Sequence, residues 1–155
     1  MIPRPDPGGA PAIVGVLETS LYAQDLARTA AFYSDLLGLK PLLASARLVA
    51  FEVAARSVLL IFQAGATEED VVDARGVIPG HDGHGRLHLA LSIAEDDLEA
   101  WRARLAKRGV AVAGEYRWPR GGVSLYFHDP DGALVELASP GLWWPRPAPD
   151  ETSAR

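Results

Sequence analysis

One order of features occurs twice along this chain: a strand, an amphipathic helix, a glycine and then further strands. In the first copy Asp25 supplies a helix N-cap, apolar residues recur at Leu26, Ala30, Tyr33 and Leu37, and Gly38 supplies a C-terminal stop. That spacing predicts a helix over Leu26–Leu37, with Ile13–Ala23 as the strand before it. In the second copy Asp96 and Asp97 open a helix with Leu98, Trp101 and Leu105 on one side. Its acids come early (Asp97, Glu99) and its bases late (Arg102, Arg104, Lys107, Arg108), as the helix dipole favours, and Gly109 ends it. The strand Arg86–Ile93 precedes it. Glu18 stands 20 positions before Gly38, and His88 stands 21 before Gly109. Internal duplication is the economical account of that match.

Extended segments follow each helix: Arg47–Val53 and Ser57–Gln63 in the first half, then Val110–Arg117, Val123–His128 and Ala133–Ala138 in the second. Asp129-Pro130-Asp131-Gly132 joins the last two as a tight type I turn. The expected fold class is α+β, built from two tandem βαβββ modules. The expected organisation is a flexible arm at 1–12, a first module at 13–65, a linker loop at 66–86, a second module at 87–140 and a C-terminal tail at 141–155. Proline and glycine rule out a helix or ladder in the arm. The linker carries Glu68, Glu69, Asp70 and Asp73 before Pro79–Gly85, which reads as a mobile loop holding His81 and His84. In the tail, Trp143 and Trp144 are expected either to pack onto the domain or a second subunit, or to wall a ligand pocket.

Strand residues alternate between faces, so parity shows what each face is for. In Arg86–Ile93 the odd positions are Leu87, Leu89, Leu91 and Ile93, while the even ones include Arg86, His88 and Ser92. Val123, Leu125 and Phe127 likewise oppose Ser124, Tyr126 and His128. The odd faces should meet the helices. The even faces then share a surface carrying Glu18, His88, Tyr126 and Glu136, as a sheet curved around a wet cavity requires. Two carboxylates and an imidazole converging there would repel and desolvate one another without a compensating cation, so spacing points to a divalent metal.

Composition removes other chemistries. The chain has 155 residues and no cysteine, which excludes disulfides, thiolate nucleophiles and cysteine-ligated metals. A net charge of −5 with no basic run argues against nucleic acid as a partner. No apolar stretch approaches the ~20 residues a membrane span needs, and Met1–Pro11 lacks a signal peptide's apolar centre, so a cytoplasmic location and no membrane partner are expected.

The run Leu17–Leu26, with Ala31-Phe32-Tyr33 and Leu36-Leu37-Gly38-Leu39 after it, resembles the first module of the vicinal oxygen chelate superfamily, which includes glyoxalase I, extradiol dioxygenases, fosfomycin-resistance enzymes and bleomycin-resistance proteins. Gly85–Leu91 resembles the start of its second module, and Leu125–Leu137 its closing hairpin. The resemblance implies a U-shaped mixed sheet enclosing a cavity, and a homodimer whose metal sites draw on both chains. It assigns Glu18, His88 and Glu136 as ligands of a divalent ion (manganese, iron, zinc, nickel, cobalt or magnesium). The glyoxalase pattern has a further carboxylate where this chain has Leu60, and an extradiol dioxygenase would have histidine where it has Glu18.

The expected function is therefore a metalloenzyme whose ion chelates a small oxygenated substrate. Two carboxylates and a single histidine favour isomerase, lyase or addition chemistry over ring cleavage. Glu136 or Glu18 is the candidate catalytic base. Arg120, Tyr126, Leu60 and Phe62 are the candidate substrate contacts, Arg120 because a guanidinium on a glycine-flanked loop suits an anionic group. The alternative is a binding protein of the bleomycin-resistance kind that sequesters a small molecule without turnover.

Overall fold

The computed structural model describes residues 11–54 and 56–145. The expected flexibility of the arm falls almost wholly outside these residues, as does the proline-rich end of the tail. The first module runs β1 (Glu18–Ala23), α1 (Leu26–Leu37), β2 (Lys40–Ala44), β3 (Leu48–Val53) and β4 (Ser57–Gln63). The second runs β7 (His88–Ser92), a 3-10 turn (Glu95–Asp97), α2 (Leu98–Lys107), β8 (Gly114–Arg117), β9 (Val123–His128) and β10 (Leu134–Ala138). Their sheets have the same topology, β1-β4-β3-β2 and β7-β10-β9-β8. In each, the first and last strands are parallel and the other pairs antiparallel. The two βαβββ modules are thus those the duplicated pattern predicts.

Local chemistry sets the element ends. The Asp25 side chain accepts from the Arg28 N–H at 3.0 Å, and Gly38 ends α1 in the left-handed conformation at φ 70°. The strand expected from Ile13 begins only at Glu18, because the ladder to β4 starts there; residues 11–17 are exposed and lie outside the strand, with the Leu17 carbonyl accepting from the Val58 N–H of β4 at 2.9 Å. Strand β2, which the periodicity did not mark, contains Pro41 and lies at an edge, where a missing N–H costs least.

The linker is more ordered than its composition suggests. It contains a small hairpin, β5 (Val71–Asp73) and β6 (Gly76–Ile78), and its expected mobile loop is tied down at several points described below. No helix among the described residues is long and apolar enough to cross a membrane.

The inner strands of both modules turn their odd-numbered residues towards a shared core. Leu59, Ile61, Leu125, Phe127, Val135 and Leu137 are buried there with Tyr33, Leu36 and Leu105, and Leu87, Leu89 and Leu91 pack against them. Parity in β4, unreadable from four consecutive apolar residues, is settled by this packing: Leu59 and Ile61 enter the core, while Phe62 stacks on Tyr22 across the open face.

The Asp129–Gly132 turn does more than join β9 to β10. The Asp129 carboxylate accepts from the Asp131 and Ala133 N–H groups and from the Tyr33 hydroxyl at 3.0 Å, which fastens the turn to α1. The Asp131 carboxylate accepts from the Gln24 N–H and the Thr29 hydroxyl. From the other side Arg104 donates to the Asp35 and Leu36 carbonyls at the end of α1.

Burial pushes the Asp129 carboxyl above its ordinary range, the Asp131 charge adds to this, and the hydrogen bonds it accepts oppose it. A raised folded-state pKa favours the protonated form. Its contribution to stability is fully present below the unfolded value of about 4 and is lost as pH rises through the raised one. Asp129→Asn retains an acceptor oxygen for the turn, so it is expected to flatten that pH dependence in denaturant melts. Asp129→Ala strands the Tyr33 hydroxyl and two N–H groups and should cost about 3 kcal/mol.

Candidate metal centre

The open face of the second module brings His88 and Glu136 together. His88 opens β7 opposite Leu134 of β10, and Glu136 lies two residues further along β10, on the same face. His88 Nε2 is 3.1 Å from Glu136 Oε2. On the other side of the ring, Nδ1 lies 3.0 Å from the Leu134 carbonyl oxygen. A carbonyl only accepts, so Nδ1 carries a proton, and when the ring is neutral its Nε2 lone pair faces a carboxylate oxygen. Two acceptors at that separation repel unless a proton or a cation sits between them.

The other carboxylate oxygen is fully engaged. Glu136 Oε1 accepts from the Ser124 hydroxyl and, at 3.2 Å, from the Tyr126 hydroxyl. Trp118 Nε1 donates to Ser124 Oγ at 2.8 Å and so orients that hydroxyl. Burial first, and then the Glu136 charge, raise the Tyr126 phenol above its ordinary pKa, which keeps it a donor. Glu136 is buried although His88 is half-exposed. The carboxylate is thus held with one oxygen spent on the protein and one presented to the imidazole, an outer shell of the kind that orients a metal ligand. Ser124 was visible on the polar parity of β9, whereas Trp118 lies on a loop with no periodic signal.

The structure does not bring Glu18 to this pair. Glu18 opens β1 opposite Val58, exposed on the first module's open face, and the described residues of one chain hold no cluster of three metal-ligating side chains. The sheets carry a matching vacancy in their ladders, since β1 pairs only with β4 and β7 only with β10. Each module therefore presents an unpaired edge whose first residue is Glu18 or His88.

The remaining candidates fall as follows. Leu60 and Phe62 share the open face with Glu18, Ser20 and Tyr22 through the parallel β1–β4 register. Arg120 lies on the turn between β8 and β9 and donates to the Trp143 carbonyl at 2.9 Å, so it pins the tail. Trp143 and Trp144 are 73% and 78% exposed, which overturns packing onto their own domain and leaves a second subunit or a ligand as what would cover them. A cavity of about 490 Å³ between the modules is lined by Leu37, Leu59, Leu89, Leu91 and Trp101 among others, with no titratable side chain, and carries no chemistry.

A duplicated βαβββ unit with a histidine–carboxylate pair on its open face defines a class, and residues 15–137 match the family model of the Glyoxalase/Bleomycin resistance protein/Dioxygenase superfamily, to which the chain belongs. Among individual relatives it is 29% identical over 126 residues to the metallothiol transferase FosB of Bacillus licheniformis, covering 81% of this chain and 75% of that protein. Its structure is similar to that of a lactoylglutathione lyase from Agrobacterium tumefaciens, with TM-score 0.76, 33% identity, and 84% and 97% of the two chains covered. The fold is also that of FosX, a fosfomycin resistance protein from Listeria monocytogenes, with TM-score 0.62, 23% identity, and 84% and 97% covered.

Proposed function

We propose that this protein is a divalent-metal-dependent enzyme acting on a small substrate with two adjacent oxygens, with His88 and Glu136 of one copy and Glu18 of a second copy as the metal ligands. The observation that carries the reading is His88 Nε2 and Glu136 Oε2 held 3.1 Å apart on the open face, with Nδ1 bonded to the Leu134 carbonyl and Oε1 to the Ser124 hydroxyl. A divalent ion bound by these groups supplies Lewis acidity to the substrate oxygens. Relatives described as a lyase and a metallothiol transferase support metal-assisted isomerase, lyase or addition chemistry.

The chain's own residues divide the remaining work. Glu136 is immobilised by Ser124 and Tyr126 and serves as a ligand. Glu18, exposed and opening an edge strand, is the carboxylate with freedom to take a proton from substrate. Leu60 and Phe62 provide apolar wall on the first module's open face, and Tyr126 provides a hydroxyl beside the ligands.

A second copy is required because one chain brings together only two of the three proposed ligands. The homodimer would also cover the apolar residues Val14, Val16 and Leu17 beside the β1 edge, together with the exposed tryptophans. Mixing Glu18→Ala with His88→Ala protein after reversible subunit exchange tests this arrangement. A shared site regenerates one intact centre per heterodimer, so about a quarter of the parent's metal sites should return. A site built within one chain would recover none.

A further inference from the structure

The loop histidine His81 is built into the first module's open face rather than left to solvent. Its backbone is bracketed by Thr67: the His81 N–H donates to the Thr67 carbonyl at 2.7 Å, and the Thr67 hydroxyl donates to the His81 carbonyl at 2.6 Å. Thr67 itself is buried, and the preceding Gly80 N–H donates to Asp70 Oδ1 at 2.8 Å. Gly83 then passes so close to the Tyr22 ring that a Cβ there would lie 2.4 Å from a ring carbon. The imidazole meets the Phe62 ring edge-on at a centroid distance of 4.8 Å, and its Nδ1 lies 2.7 Å from the Tyr22 hydroxyl. Residue 81 stays exposed despite these restraints. The chain orders a loop and a threonine bracket to hold a histidine that the core does not use.

Tyr22 decides what the outer nitrogen offers. Burial, and then the Asp82 charge, raise the Tyr22 phenol, so its hydroxyl remains protonated and can donate to His81 Nδ1, 2.7 Å away. A neutral imidazole that accepts at Nδ1 carries its proton on Nε2. When the ring is protonated Nε2 keeps that proton. With Tyr22 donating to Nδ1, His81 presents an N–H donor outward beside Phe62 and Tyr22. One fixed polar group on an apolar and aromatic wall is the usual composition of a small-molecule subsite. Tyr22 is four residues along β1 from Glu18, about 13 Å at strand rise.

We infer that His81 is a second, metal-independent contact for the bound small molecule, its Nε2–H donating to a carboxylate or phosphonate oxygen at the end of the substrate remote from Glu18. This deepens the proposed function and rests on it, using the same open face while requiring no metal, and it makes the substrate an elongated molecule with an anionic group far from its chelating oxygens.

The test uses nitrogen-15-labelled, EDTA-treated protein and methylphosphonate as the probe. Imidazole spectra near neutral pH should show the neutral His81 proton on Nε2 in the parent and a mixture of tautomers in Tyr22→Phe. Methylphosphonate should shift the His81 ring and the Gly80 and Gly83 amides saturably, with affinity about tenfold weaker in Tyr22→Phe and no saturable shift at those amides in His81→Ala. The amide spectrum of β1 and β4 checks that both variants stay folded. A neutral ring protonated on Nδ1 overturns the inference, as does a probe that moves only His88 or nothing. Those outcomes leave the metal reading intact, since that stands or falls on metal binding by His88 and Glu136.

Discussion

His88→Ala is expected to weaken divalent-metal binding by on the order of a hundredfold or more while the metal-free protein keeps its fold. The substitution removes the only nitrogen donor of the proposed set and leaves Glu136 Oε2 facing open space. Its structural cost is small because the ring sits half-exposed on the open face, while Leu87 and Leu89 on the opposite face carry the packing. The single bond to the Leu134 carbonyl accounts for about 1 kcal/mol, a melting shift of a few degrees. Calorimetric titration with manganese or zinc, paired with a thermal melt of EDTA-treated protein, reads both quantities. Unchanged stoichiometry and affinity would sink the assignment of His88.

Leu60→Glu is expected to fold and to bind a divalent ion more tightly than the parent. The pseudo-symmetry of the modules gives the reason. Glu136 lies two residues beyond the β10 position paired with His88, and Leu60 lies two residues beyond the β4 position paired with Glu18. Leu60 is thus the first module's counterpart of Glu136, on the open face and only partly buried. A carboxylate there remains solvated and should destabilise the metal-free protein by less than about 1 kcal/mol. It adds a fourth protein ligand and a negative charge, so metal should raise the melting temperature more than in the parent, while fewer positions stay open to substrate. Leu59→Glu is the control. Leu59 is in the core, and an unpaired carboxylate there should cost several kcal/mol with or without metal. Collapse of Leu60→Glu to the same extent would mean that the facing of β4 is reversed and that the likeness to the glyoxalase ligand position fails.

By itself the sequence determined the duplicated module plan, because that plan rests on local chemistry repeated at nearly equal spacing. Asp25 and Gly38 cap α1 through their own side chain and backbone, and the strict alternation of Arg86–Ile93 and Val123–His128 sorts their residues onto two faces. The candidates His88 and Glu136 were visible for the same reason, as polar residues on the open parity of neighbouring strands. Only the tertiary structure decided how they are used. Which oxygen of Glu136 is free depends on Ser124 and Tyr126 across the β9–β10 ladder and on Trp118 from a loop, contacts that no period encodes. The facing of β4 was decided by the core, since four consecutive apolar residues carry no alternation. Asp129 and Asp131 looked like turn residues alone until α1 was seen to lie against them. Glu18 is the sharpest case: its strand and its parity follow from the sequence, but its separation from His88 within one chain follows from two sheets that share no ladder, a long-range arrangement set by how the helices and turns of the modules pack.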